Sequence, residues 1–219
     1  MKAASDAQRR MILVSAIIGC GIVTAAPPAL AANFSARETA RGLHVDRAGG
    51  AMGKLSSNGW FRRPGEPMFV YREGGKTVAG VWVGSSDAAM VRSGTTESSP
   101  LIGRIVPAWK DGMLSLTIEP AGGAAVQTTV FQRASGGGAL DRHTTTWEAL
   151  QGSYRATLQA GGKDAGWLGV EVSPEGGARF SGDLPASIPP ALAAAAAAAI
   201  EDEVNYIYGN LSDVNPLLR

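Results

Sequence analysis

The sequence predicts an all-β protein, an antiparallel up-and-down meander of about eight or nine strands followed by one C-terminal helix. Three observations carry this expectation. Between residues 60 and 183, short runs of alternating apolar and polar residues are separated by glycine-rich turns. Several of those turns are of hairpin length, which demands antiparallel neighbours, because parallel pairing needs a crossover of about a dozen residues or more. After residue 188 a proline pair and an alanine run take over, and that is helical composition.

In chain order, the first segment reads as a leader. Lys2, Arg9 and Arg10 precede an apolar run over 11–26, and Ala29-Leu30-Ala31 supplies a small-residue cleavage pattern, so residues 1–31 read as a signal peptide cleaved after Ala31. The apolar run falls short of the about 20 residues a membrane span needs, so no stable span is expected in the mature protein. Arg9-Arg10-Met11-Ile12-Leu13 suits a twin-arginine signal as well as an ordinary secretory one. Ile17-Ile18-Gly19-Cys20 resembles a lipobox, but the residues after Cys20 stay apolar to Leu30 where a lipidated protein would begin a polar tether. A periplasmic or secreted location is the expectation.

Without the leader, the 20 basic and 19 acidic residues become 17 and 18, a net charge of −1. Neither the net charge nor any basic run marks the chain for nucleic acid or an anionic membrane. Cys20 is the only cysteine and leaves with the leader, which excludes an internal disulfide, a thiolate metal site and a cysteine nucleophile from the mature chain.

Residues 32–58, rich in Gly, Ala, Arg and Ser, read as a weakly structured N-terminal arm, and residues 59–219 as the barrel domain. The nine candidate strands are 68–72, 77–83, 88–92, 101–109, 113–119, 125–132, 153–159, 165–172 and 178–181. Gly74-Gly75, Asp111-Gly112 and Gly161-Gly162 sit between them with residues suited to positive φ. In 113–119, Leu114, Leu116 and Ile118 point one way and Ser115, Thr117 and Glu119 the other; in 153–159, Tyr154, Ala156 and Leu158 oppose Ser153, Arg155, Thr157 and Gln159. A sheet with one dry face either closes into a barrel or folds into a sandwich, and consecutive hairpins favour the barrel. A faint echo at an offset of 87 residues matches Trp60 with Trp147 and Gly74-Gly75-Lys76 with Gly161-Gly162-Lys163. Pro189-Pro190, the alanines over 193–199 and Gly209 as a stop define a helix over about 189–208, whose stripe of Ile200, Val204, Ile207 and Tyr208 is expected to dock outside the barrel.

The catalytic vocabulary is sparse. His44 and His143 are the only histidines, and neither lies in a metal-ligand spacing; no G-x-S-x-G nucleophile elbow occurs, and Gly75-Lys76-Thr77 lacks the first glycine of a phosphate-binding loop. The one chemical cluster is Asp141-Arg142-His143 with Glu148 a turn later, inside a loop longer than most connections in compact domains. His143 with Asp141 or Glu148 could shuttle a proton while Arg142 holds an anionic oxygen. A solvated loop capping one end of the barrel accounts for the same residues. Of the five tryptophans, Trp82 and Trp109 are candidates for the lumen together with Tyr154, while Trp60 and Trp147 are candidates for its floor or seam; Trp167 shares its face with Glu171 and is expected outside.

Asn58-Gly59-Trp60 ahead of a hairpin meander and a following helix resembles the lipocalin-like class of barrels, although the glycine-any-tryptophan spacing of that class is absent. The resemblance implies a closed barrel and, by analogy alone, a small ligand in its lumen. Three functions follow. The first is an exported barrel that binds an apolar or aromatic small molecule through Trp82, Trp109, Tyr154, Trp60 and Trp147. The second is a cofactor-free isomerase, cyclase or lyase using His143 with Asp141 or Glu148 and Arg142. The third is an envelope protein-interaction or inhibitor module, which leaves a protein partner or a homodimer open. Neither a cofactor nor a metal is called for by any motif.

Overall fold

Side chains alternate between buried and solvent-facing along the strands, and that period places the core. In β8 (Met113–Pro120) Leu114, Leu116, Ile118 and Pro120 are buried, while Met113, Ser115, Thr117 and Glu119 are only partly so. A computed structural model describes residues 33–39, 42–47, 53–57, 63–84, 88–174 and 177–214. The leader with Cys20 lies outside the described residues, and so does Trp60.

The strands that precede β8 are β1 (Phe34–Thr39), β2 (Gly42–Arg47), β3 (Gly53–Ser57), β4 (Phe69–Glu73), β5 (Lys76–Val83), β6 (Ala89–Arg92) and β7 (Leu101–Lys110). Those that follow are β9 (Val126–Thr128), β10 (Gln132–Arg133), β11 (Gly152–Ala160), β12 (Lys163–Val172) and β13 (Ala178–Asp183), with a one-turn helix α1 (Trp147–Leu150) before β11 and a long helix α2 (Pro190–Val214) at the end. Most strands pair antiparallel with their chain neighbours, β1 pairs with β13, and β9 pairs with β11, so that twelve strands close a barrel with β10 outside the ring. The barrel expected from the hairpins is therefore present, with more strands than the eight or nine expected. Three hairpins turn on two residues with positive φ, Gly74-Gly75 (53° and 79°), Asp111-Gly112 (51° and 82°) and Gly161-Gly162 (57° and 78°), as the right-handed twist of their strands requires.

Three of the additional strands correct the reading of 32–58 as an arm. β1, β2 and β3 occupy that segment, and each contributes only two buried residues to the interior: Phe34 and Ala36, Leu43 and Val45, Gly53 and Leu55. Their outward residues are charged or polar, so the alternation is too short to stand out in the sequence. The run over 125–132 is also divided. Thr128 is paired with Leu158 and Gln132 with Arg155. Between them Phe131 turns into the core, donating its N–H to the Leu114 carbonyl at 3.0 Å and accepting from the Leu140 N–H at 2.8 Å.

Twelve strands enclose more space than their own side chains fill, and α2 occupies it. Ala191 to Ala197 are buried on every side of the helix, the condition of a helix that is apolar all round. The helix packs on β2, β3, β5, β6, β7 and β8. Alanine suits the lumen because its short side chain lets the walls come close. A Cβ added at the inward-facing Gly103 would lie 2.9 Å from Leu192 Cδ2 and 2.5 Å from the Glu119 carbonyl. The expected docking of this helix outside the barrel is thus corrected: its apolar stripe continues a segment over 191–200 that has no polar residue at all. At the entrance, the Arg47 guanidinium donates to the carbonyls of Ile188 and Pro185, and Asn33 bridges Asp183 and Leu184. The helix also runs through Gly209 to Val214 rather than stopping there.

Candidate ligand cleft at the barrel mouth

The end of the barrel where α2 emerges is built by the β7–β8 turn, the loop after β10 and α1. Tyr154, inward-facing on β11, ties this end together. Its hydroxyl donates to the Leu150 carbonyl at 2.8 Å and accepts from Arg133 Nη2 at 2.9 Å. Arg133 also donates to the Gln151 carbonyl at 2.7 Å, and its guanidinium stands 5.0 Å from the Tyr154 ring. Burial pushes the Tyr154 hydroxyl up from its ordinary range, with Arg133 pulling the other way. Tyr154 is thereby committed to holding α1 on the rim, a part for which the sequence carries no sign because the partners are backbone carbonyls.

The cluster Asp141-Arg142-His143 lies on the β7–β8 turn. Asp141 Oδ1 accepts from the His143 backbone N–H at 2.8 Å, the Thr144 hydroxyl donates to the Asp141 carbonyl at 2.6 Å, and the Arg142 N–H donates to the Gly112 carbonyl at 2.9 Å. This is an Asx turn, in which an aspartate mimics a backbone turn. Its carboxylate is engaged with the His143 backbone rather than the ring. The imidazole lies exposed over Gly112, where a Cβ would approach His143 Cδ2 to 2.6 Å. Glu148 is exposed in the first turn of α1. The structure therefore places the four nominated residues at one end of the barrel, without joining an imidazole to a carboxylate among the described residues.

Beside α2 a cleft of about 510 Å³ opens between the helix and the β4–β7 wall. Ala195, Ala198 and Ala199 form its inner side, Phe69, Val81, Val83 and Trp109 line the barrel side, and Arg142, Asp202 and Glu203 stand among its polar groups. Trp109 points inward by strand parity, and its indole N–H donates to Glu203 Oε2 at 3.0 Å, which fixes the ring as a wall. Val83 is 47% exposed and Tyr206 59%, so two large apolar side chains of the cleft remain open to solvent.

No family model, curated protein or solved structure matches this chain. Function must be argued from the sites themselves.

Two further cavities flank the helix exit. One, of about 800 Å³, lies by Trp147 and Tyr208, whose rings meet edge to face at 4.8 Å, and reaches Arg37 and Arg179. The other, of about 410 Å³, holds Glu38 and Glu201 among Leu43, Leu55 and Phe69. Burial first, and then the negative charge and hydrogen bond of Glu38, push the Glu201 carboxyl up to about 7. The remaining described tryptophans do not line the lumen. Trp82 shares the outer face of β5 with Gly80, beneath the segment 63–67, where its indole donates to the Gly65 carbonyl at 3.1 Å. Its placement outside corrects the lumen expectation. Because both faces of β5 are apolar, parity could not decide between them. Trp147 is on α1, with its indole N–H on the Pro174 carbonyl at 3.0 Å. Trp167 faces outward under the Arg155 guanidinium at 4.2 Å.

Proposed function

We propose that this protein is an exported β-barrel that binds an apolar or aromatic small molecule in the cleft between α2 and strands β4–β7. The site is the mouth of the barrel, since the alanine turns of α2 take up the lumen. The observation that supports it is the Trp109 indole, held edge-on by Glu203 against a floor of three alanines, with Val83 and Tyr206 left open beside it. A mostly apolar concavity with a few placed polar groups is the usual form of a small-molecule site. Arg142 at the rim favours a ligand that carries an acceptor or an anionic group at one end. Export rests on the leader over 1–31.

Binding of the aromatic sulfonate 8-anilinonaphthalene-1-sulfonate to the folded protein tests the site. One molecule is expected to bind, with affinity falling about tenfold in Trp109→Ala, the cost of about 1.4 kcal/mol of ring contact. Ala199→Leu, which fills the cleft, is expected to abolish it. Unchanged binding by both variants would remove the cleft from consideration. His143→Ala is expected to leave the affinity as it is, because the imidazole lies over Gly112 rather than among the cleft's walls.

A further inference from the structure

The strand register lines up cations that the sequence scatters. Residues directly opposite on neighbouring antiparallel strands share a face. On the outer face Arg179 of β13 is opposite Arg37 of β1, Arg37 is opposite His44 of β2, His44 is opposite Lys54 of β3, and Lys54 is opposite Arg72 of β4. Four permanent cations and one imidazole thus form an unbroken row across five strands. At about 4.8 Å per strand the row is roughly 19 Å long. The acids nearest in register are Glu171, opposite Arg179 at one end, and Asp46, two residues along β2 from His44. Arg72 donates to the Ser56 hydroxyl at 2.9 Å, and among the described residues Arg37, Lys54 and Arg179 make no ion pair. Like charges directly opposite one another weaken a sheet unless a counter-charge lies over them. Two of the four contacts in this row, Arg179 with Arg37 and Lys54 with Arg72, are of that kind.

We infer that this row is a binding site for a flexible linear polyanion. The shape of the wall selects a chain over a flat surface. Five of the twelve ring strands cover about a third of the circumference, so the row bends with the barrel. A planar anionic membrane touches only part of such an arc, whereas a chain of phosphate, sulfate or carboxylate groups can follow it. The row also runs into the cavity of about 800 Å³, which Arg37 and Arg179 line together with Asn205 and the carboxylate-bearing Glu38, and where the end of a chain is received. No aromatic side chain stands in the row itself, so along it recognition is of charge and not of nucleobases.

The test is titration of the full chain with fluorescently labelled inorganic polyphosphate of about fifteen units at a series of salt concentrations. Electrostatic binding through four cations gives a slope of log affinity against log salt of about −3 to −4. Arg37→Ala, Lys54→Ala and Arg179→Ala are each expected to weaken binding about three- to tenfold and to reduce that slope by about one. The variants Arg104→Ala and Lys110→Ala, which lie off the row, are expected to bind as the parent does. All five positions are at least partly exposed, and melting curves check that each variant is folded. Addition of polyphosphate is expected to raise the melting temperature of the parent and not that of a Lys54→Ala, Arg179→Ala double variant. Full affinity in the row variants would overturn the proposal. So would orthophosphate that matches the chain, which would reduce the row to a single-anion site, or row-dependent capture by anionic phospholipid vesicles without binding of polyphosphate.

Discussion

Glu201 stands where α2 leaves the barrel, beside Glu38 in a small apolar cavity, and its carboxyl is pushed up to about 7 from an ordinary 4.5. Between those two values the folded protein binds more protons than the unfolded chain, so the contribution of this group is complete below about pH 4.5 and is lost as pH rises through 7. Glu201→Gln removes the dependence: its melting temperature is expected to fall less than the parent's between pH 5 and 8, as calorimetry across that range would show. Tyr154 makes a second test at this scale. Tyr154→Phe leaves the Leu150 carbonyl and the Arg133 guanidinium short of a partner at a buried position, and a loss of about 1–3 kcal/mol in denaturant unfolding is expected. Residues differed in how far they could be read in advance. The inward face of Trp109 follows from parity with Ile105, but its bond to Glu203 joins positions 94 residues apart and requires the helix to lie inside the wall. Trp82 could not be placed from parity, because what covers it is a loop.

At the scale of the elements, α2 carries the densest packing. Ala194 is fully buried between barrel walls, and Ala194→Leu is expected to destabilise by about 1–3 kcal/mol or more through overpacking. Gly103→Ala attacks the same contact from the strand side, since its methyl group meets backbone at 2.5 Å, and a comparable loss in chemical denaturation is expected. The helix itself was legible from its alanines and the proline pair. Its place was also written in the chain, in the want of any polar residue over 191–200, yet alanine signals helix propensity more loudly than burial. Most strands between 68 and 183 were legible because inward apolar residues alternate and glycines mark several turns, whereas the run over 125–132, expected as one strand, is divided into β9 and β10. β1 to β3 were not legible, since each sets only two inward residues among charged and polar neighbours.

Across the whole molecule, hairpins specify which strands are neighbours but leave the closing partners open, and these decide the barrel. Phe34 pairs with Gly182 and Val126 with Ala160, and only the first of these joins distant parts of the chain. A fold that depends on such a long-range pairing acquires its last contacts late, and refolding in the millisecond to second range or slower is expected in stopped-flow fluorescence. The β9–β11 seam is short beside a hairpin of the same wall. β9 meets β11 over three residue pairs, while β11 and β12 share nine. Amides of 126–128 are therefore expected to exchange with deuterium faster than those at the centre of β12, and equal protection would contradict this. The row of cations on the outer wall is likewise a property of the closed sheet: residues 37, 44, 54, 72 and 179 are separate in the chain and become neighbours only through register.

The order of the elements carries a consequence for how the protein is made. Every strand precedes α2 in the chain, so a nascent polypeptide emerging from the ribosome presents all of the staves before the core they enclose. Until residue 214 has cleared the exit tunnel, the wall has nothing to close on, and its apolar inner face must be kept from other chains. Closure of the wall therefore waits on the last element described, and a nascent chain arrested before residue 190 offers a hold-point at which a chaperone or a secretion machinery can still take it unfolded.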